Sequence, residues 1–421
     1  MGVTDRSTTD QAARDQATAT EPAAPPRPLD GIRVVDVTQE AAGPITGRLL
    51  AEMGADVVHV EPLRGDNGRN TTTPFLGSEG IFHQLGNRSK RGLAVDLSTE
   101  EGQEILRRLA TRADVLINGT ARGTLERIGL GYEELAELND QLVYASLTGY
   151  GPNGPLGDSP GYDVVVQAFA GIMNRQPEGP SLTGFLYADT ATPLVLTNGI
   201  LLALMARPTI GRGQLVETSL LQGALHMLTN FMLWVEDDPI LSRTAPSKGS
   251  KRGADPTTAV YPCAHGTHLM LSAWNDGQFR KLCQALDVPH IADDPNYRTR
   301  PQRASAFTEL SELFDGLLAH RSAADWVATL APHGIPCQVV AEGPRTIIDH
   351  PQLAANEMLV EVEHPTKGRM RQPNYPVRLS ETPAAVDGPA PLLGQHTDEV
   401  LAEVGYSPDE IARLRSDRVV A

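Results

Sequence analysis

The chain has 421 residues, 40% of them apolar and 21% charged, with 36 Lys and Arg against 52 Asp and Glu. A formal charge of −16 excludes the broad basic face of a nucleic-acid binder, although a few clustered cations can still hold an anionic ligand. This length predicts two domains rather than one core.

Cys263, Cys283 and Cys337 lack CxxC spacing, so reduced thiols are expected rather than a disulfide framework or a zinc site. Residues 1–28 are rich in Thr, Ala, Pro and charge, lack the apolar core of a signal peptide, and read as a disordered tail. The start MGVTDR also lacks the Ser or Thr of a myristoylation signal. The densest apolar run, around Leu194–Met205, is interrupted by Thr197, Asn198 and Gly199 and falls short of a membrane span. A cytoplasmic protein without a membrane partner is expected.

The β-branched run IRVVDV (32–37) predicts a buried strand, and Gly43-Pro44 opens a helix that Gly54 stops. ADVVHVEP is a second strand ending at Glu61, which completes a βαβ unit. RGLAVDL is the next strand, followed by a helix whose capping box is Ser98 and Glu101. DVLIN, EELAELN and QLVYASLTGY continue the alternation, which predicts an α/β fold with a mostly parallel sheet and helices on both faces. GYGPNGPLGDSPGY is a loop over the sheet edge. YDVVVQAFAGIMN is a helix, and Thr192 and Pro193 look like the cap and first residue of the next. GRGQLVETSLLQGALHMLTNFMLWVE gives a short strand and a long helix, and LSRTAPSKGSKRGADPTT marks a domain boundary.

Short strands (AVYPCA, THLMLSA) and amphipathic helices then predict a smaller α+β domain. EMLVEVEHPTKGRMRQP reads as two strands about a turn at Pro365–Gly368, and Ser407, Pro408 and Glu410 start a terminal helix. The divisions are a tail over 1–28, a large domain over 29–225, a small domain over 226–345 and a closing segment over 346–421.

The first βα unit invites a dinucleotide, with Glu61 as the ribose acid. Its turn, however, is DVTQEAAGP rather than GxGxxG. No HExxH pair occurs either, so no metal is expected.

A set of ordered blocks is more specific: VVDVTQEAAGP, LLAEMGADVVHVEPLRGD, NRSKRGLAVDL, ERIGLGYEELAELNDQLVYASLTGYGPNGP, PGYDVVVQAFAG, ADTATP, GRGQLVETSLLQGAL, and HPTKGRMRQPNYPVRLS with APLLGQHT. Over about residues 29–418 this closely resembles the family III CoA-transferases, the CaiB/BaiF group, which also holds α-methylacyl-CoA racemases. The resemblance implies an open, mostly parallel Rossmann-like sheet in a large domain, a smaller α+β domain, and an interlocked homodimer. It implies acyl-CoA and a carboxylic acid as substrates, and it places a covalent nucleophile at Asp189 in YADTATP.

A carboxylate suits that task. It can attack a thioester, form a mixed anhydride and expel the CoA thiolate, keeping the acyl group activated. Burial alone raises a carboxyl pKa by as much as about 3–5 units, and a helix N-terminus just after Asp189 would oppose that. The resemblance further implies CoA contacts at Arg64, Lys90 and Arg91, with Arg127 and Tyr150 as further candidates. Arg suits bidentate phosphate contacts, and Lys acts as a point charge.

The chain also departs from the family. The loop matching E-N-F-x-P-G is NGTARG, so Asn118, Gly119, Thr120 and Arg122 stand where CoA contacts are implied. Ala41 replaces a glutamine that shields the intermediate in some members. A glycine-run lid shrinks to Gly249 and Gly253, so some thioester hydrolysis is expected. Two alternatives remain open. A racemase would need a base at the position of Tyr162 in Gly161-Tyr162-Asp163, where members of that kind carry histidine. A CoA-binding protein without turnover would be indifferent to Asp189→Asn.

Overall fold

The computed structural model describes residues 25–70, 75–76, 79–175, 179–229, 232 and 255–421. Its main sheet has six strands: β1 (Arg33–Val37), β2 (Asp56–Glu61), β3 (Arg91–Ala94), β4 (Val115–Asn118), β5 (Val143–Thr148) and β6 (Leu215–Ser219). They run in the order β3-β2-β1-β4-β5-β6, all parallel. Both faces are covered, as an all-parallel sheet requires, which is why the strands read as near-continuous apolar runs.

Successive residues serve opposite faces. Val34 and Val115 join Leu50, Leu196 and Ile200 on one side, packed by helices α1 (Ala42–Glu52), α5 (Tyr187–Ile210) and α6 (Leu220–Met227). Val35 and Leu116 face Ile105 and Leu106 of α2 (Glu100–Ala110) and Leu135 of α3 (Tyr132–Leu138) on the other. Between these helices in the chain lies α4 (Asp163–Phe169).

A separate core forms around the antiparallel strands β7 (Thr258–Pro262), β8 (His268–Ser272) and β9 (Cys337–Val339). It includes Phe279 of α7 (Asp276–Ala285), Phe314 of α8 (Phe307–Leu318) and Trp326 of α9 (Ala323–Leu330). The closing segment makes the hairpin β10 (Leu359–His364) and β11 (Gly368–Pro373). It then returns to the main sheet, where Val400 and Leu401 of α10 (Thr397–Glu403) and Ile411 and Leu414 of α11 (Pro408–Ser416) enter the first core. The capping box of Ser407 and Glu410 starts α11.

Three expectations are corrected. The cap of α2 is Thr99, whose Oγ1 accepts the Gly102 N–H, because Ser98 instead donates to Asp96. Helix α5 starts at Tyr187 rather than near Thr192, so Pro193 lies inside it. Thr197, Asn198 and Gly199 do not interrupt it, and its 24 residues are long and apolar enough to cross a bilayer by length and composition. Part of that length is explained by core packing, since Ala188, Leu196, Ile200 and Ala203 are buried against the sheet. The boundary segment 241–254, with Gly249 and Gly253, and residues 1–24 of the tail lie outside the described residues.

Candidate active site

The sheet order reverses at β1, which has β2 on one side and β4 on the other. In an open parallel sheet the crevice outside the carboxyl ends of such strands is the natural ligand site. Here a cavity of about 720 Å³ opens there, and its walls include Thr38 and Glu40 beyond β1, Gly119 and Arg122 beyond β4, and Asp163 and Asp189. The loop predicted to cross the sheet edge supplies another wall through residues 157–162.

Asp189 occupies the third position of α5 and is half-buried. Leu186 before the helix offers no side-chain cap. The cap comes from α4, where Asp163 Oδ2 accepts the Ala188 N–H at 2.7 Å and the Asp189 N–H at 3.0 Å. Gln167 steadies that arrangement by donating to both Asp163 Oδ1 and the Phe185 carbonyl. The free N–H groups that would favour an anion at Asp189 are therefore given to Asp163. Burial, then the charges of Asp163 and Glu40, push the Asp189 carboxyl up to about 7. The relief expected from the helix terminus is thus outweighed. Pro193 also lacks an N–H, so the Asp189 carbonyl receives no donor from four residues along.

Glu40 faces the same cavity from a left-handed backbone, φ 71°. Its N–H donates to Asp66 Oδ1 at 2.9 Å, and its carbonyl lies so close to Gly68 that a Cβ there would approach within 2.8 Å. The Asp66 N–H in turn donates to Glu61 Oε2 at 2.9 Å. Glu61 is paired with Arg69 at 2.8 Å. Burial works to raise its carboxyl, but His59 and Arg69 outweigh that and hold it at about 2. Glu61 is thus a strut beneath the cavity loop.

The residues matched to CoA contacts separate. Lys90 is fully buried, and its Nζ donates to Asp36 Oδ2 at 2.7 Å and to the Pro44 carbonyl and Asn87 Oδ1 at 2.8 Å. All three ammonium protons are committed within the fold. Arg91 pairs with Asp56, Glu399 and Glu403, clamping α10 to β3. Lys90 and Arg91 thus both have acidic partners within the fold. Arg64 is exposed beyond β2, outside the cavity lining, and its carbonyl accepts from Asn70 Nδ2 at 2.7 Å. Arg127 is exposed and donates to Thr124 Oγ1 at 3.2 Å, one shell behind the cavity wall. Tyr150 packs edge-to-face on Phe169 at 5.8 Å and belongs to the core face.

Glu40 escaped sequence reading, although a charged residue in the turn after β1 was a usable signal. Asp163 stands next to Tyr162 in the sequence, and no local pattern marks it as the cap of a later helix. Among the described residues no group of three His, Cys, Asp or Glu is set to hold a metal.

Residues 29–397 match the family model for CoA-transferase family III. Human succinyl-CoA:glutarate CoA-transferase is 30% identical, covering 94% of this chain and 90% of its own length. Succinate–glutarate CoA-transferase of Agrobacterium fabrum is 34% identical, covering 90% of this chain and 96% of its own. The crystal structure of a CaiB/BaiF family protein from Brucella suis matches 90% of this chain and all of its own at TM-score 0.77 and 30% identity. The chain belongs to the family III CoA-transferases and is an enzyme of that class.

Proposed function

We propose that the chain moves CoA from an acyl-CoA thioester to a carboxylic acid through a covalent intermediate on Asp189. The observation that carries this reading is a carboxylate in the first turn of α5, facing the cavity at the switch point of the sheet. In its ionised form Asp189 attacks the thioester carbonyl, the C–S bond breaks, and CoA leaves as thiolate from a mixed anhydride. The thiolate then attacks the aspartyl carbonyl, releases the donor acid and leaves an aspartyl thioester. The acceptor carboxylate repeats the two steps in reverse order. No net proton is consumed.

The elevated Asp189 carboxyl has a use here. A more basic carboxylate is the better nucleophile. Tyr162, exposed at the cavity rim, stands where a racemase would carry its histidine base. The apolar stripe of α5 that stays exposed, at Leu194, Leu202 and Met205, is assigned to a homodimer interface rather than to lipid, in a cytoplasmic enzyme.

The test supplies substrates named for relatives, succinyl-CoA with glutarate and formyl-CoA with oxalate, and follows new thioesters by mass spectrometry. Transfer by the wild type and none by a folded Asp189→Asn variant is expected. Equal transfer by both proteins would remove Asp189 from the reaction.

A further inference from the structure

The NGTARG loop, which departs from the family pattern, carries a charge that the proposed chemistry leaves unused. Arg122 follows β4 at the switch point and lines the cavity. Among the described residues of that lining it is the one cation, whereas Glu40, Asp158, Asp163 and Asp189 are acids. Both substrates of a CoA-transferase are anionic, and each would enter against this negative wall.

The loop is built to present the guanidinium. Asn118 Oδ1 accepts the Thr120 N–H at 2.9 Å and the Thr120 hydroxyl at 2.8 Å, fixing the turn out of β4. The guanidinium rests against Gly157, where a Cβ would come within 3.3 Å of Arg122 Nη1. Its partner is Asp158 at 3.1 Å, and both side chains remain open to solvent, 49% and 86% exposed. An exposed pair of this kind adds little to stability and opens readily.

We infer that Arg122 is the anion anchor of this cavity, and that Asp158 is a resident carboxylate which the substrate's anionic group displaces. The inference deepens the transferase reading and rests on it for the identity of the substrates. The anchored group is a phosphate of CoA or the distal carboxylate of a dicarboxylic acid, and the guanidinium suits either.

A structural ion pair and an anion anchor differ in sign. If the pair only holds the loop, removing either partner harms binding. If Asp158 occupies the anchor, Arg122→Gln weakens binding and Asp158→Asn strengthens it. Steady-state kinetics with succinyl-CoA and glutarate is the first measurement. Arg122→Gln is expected to raise the KM of one substrate roughly ten- to hundred-fold with kcat nearly unchanged, and Arg122→Lys to recover part of the loss. Asp158→Asn is expected to lower the same KM.

Succinyl-pantetheine in place of succinyl-CoA, or valerate in place of glutarate, identifies the source. The Arg122→Gln effect vanishes with the probe that lacks the anchored group. Calorimetric binding of CoA and of glutarate to the same variants repeats the sign test without turnover. Opposite signs in binding without any transfer would keep the anchor and overturn the transferase reading. Changes of the same sign, equal behaviour in all variants, or no binding of either probe would overturn the anchor.

Discussion

Asp163 Oδ2 accepts the backbone N–H of Asp189 at 3.0 Å. The carboxylate that fixes the candidate nucleophile in place is therefore also a charge that opposes its ionisation. One contact across two helices therefore positions Asp189 and adds to the burial that raises its carboxyl. Asp189 must be ionised to attack, so transfer is expected to fall as pH drops below about 7. Asp163→Asn keeps an oxygen for the cap and removes the charge. Its acid limb is expected to move down by roughly one pH unit, measured as kcat/KM against pH. An unshifted limb would separate Asp163 from the ionisation of Asp189.

The same elevation bears on stability. Asp189 has its carboxyl near 7 in the fold, above its ordinary value of 3.8, so the folded chain holds this proton more tightly than the unfolded one. The stabilisation is fully present below about pH 3.8 and is lost as pH rises through about 7. Asp189→Asn carries no such dependence. At pH 8 it is expected to be more stable than wild type by on the order of 1–2 kcal/mol, allowing for solvent screening of a half-buried group. The gap should close as pH falls toward 4 in denaturant titrations at several pH values, and a constant gap would contradict the electrostatic origin.

Lys90 separates a structural from a ligand-binding role. Burial lowers its pKa while Asp36 supports the charged form. Lys90→Met leaves Asp36 buried at 0% exposure without its ammonium partner, a loss expected to cost about 3–5 kcal/mol. The KM for acyl-CoA in the remaining folded protein is expected to stay near wild type. A large rise in KM with unchanged melting would instead return Lys90 to the CoA site.

Ala41 is buried and lines the cavity between Glu40 and the start of α1. A side chain this short leaves room beside the anhydride. Hydrolysis of acyl-CoA without acceptor is expected above the level of the Asp189→Asn variant, and Ala41→Gln is expected to reduce it relative to transfer. Thioester loss no faster than in Asp189→Asn would show that the cavity already excludes water.

The strands were legible because burial on both faces leaves apolar runs that no neighbour can disguise, as in Val34–Val37 and Val115–Ile117. The terminal helix was equally legible, since Ser407, Pro408 and Glu410 make its cap from adjacent residues. Helix α5 was misplaced because its cap is Asp163, 26 residues before Asp189, and no local pattern announces a cap from another helix. For Lys90 and Arg91 the sequence showed two adjacent cations but not their partners. The acids at Asp36, Asp56, Glu399 and Glu403 meet them only through the sheet and the returning C-terminal segment. Asp189 was legible as a candidate from its block of the sequence, but its raised carboxyl depends on burial and on Asp163 and Glu40 arriving from separate elements.

The most direct test of the covalent role of Asp189 is trapping with hydroxylamine. Protein, acyl-CoA and hydroxylamine are mixed without acceptor, and the modified peptides are mapped by mass spectrometry. A hydroxamate on Asp189 that requires acyl-CoA and is absent from Asp189→Asn is the expected result. Transfer activity with no hydroxamate at Asp189, or with the adduct on another carboxylate such as Glu40, would contradict it.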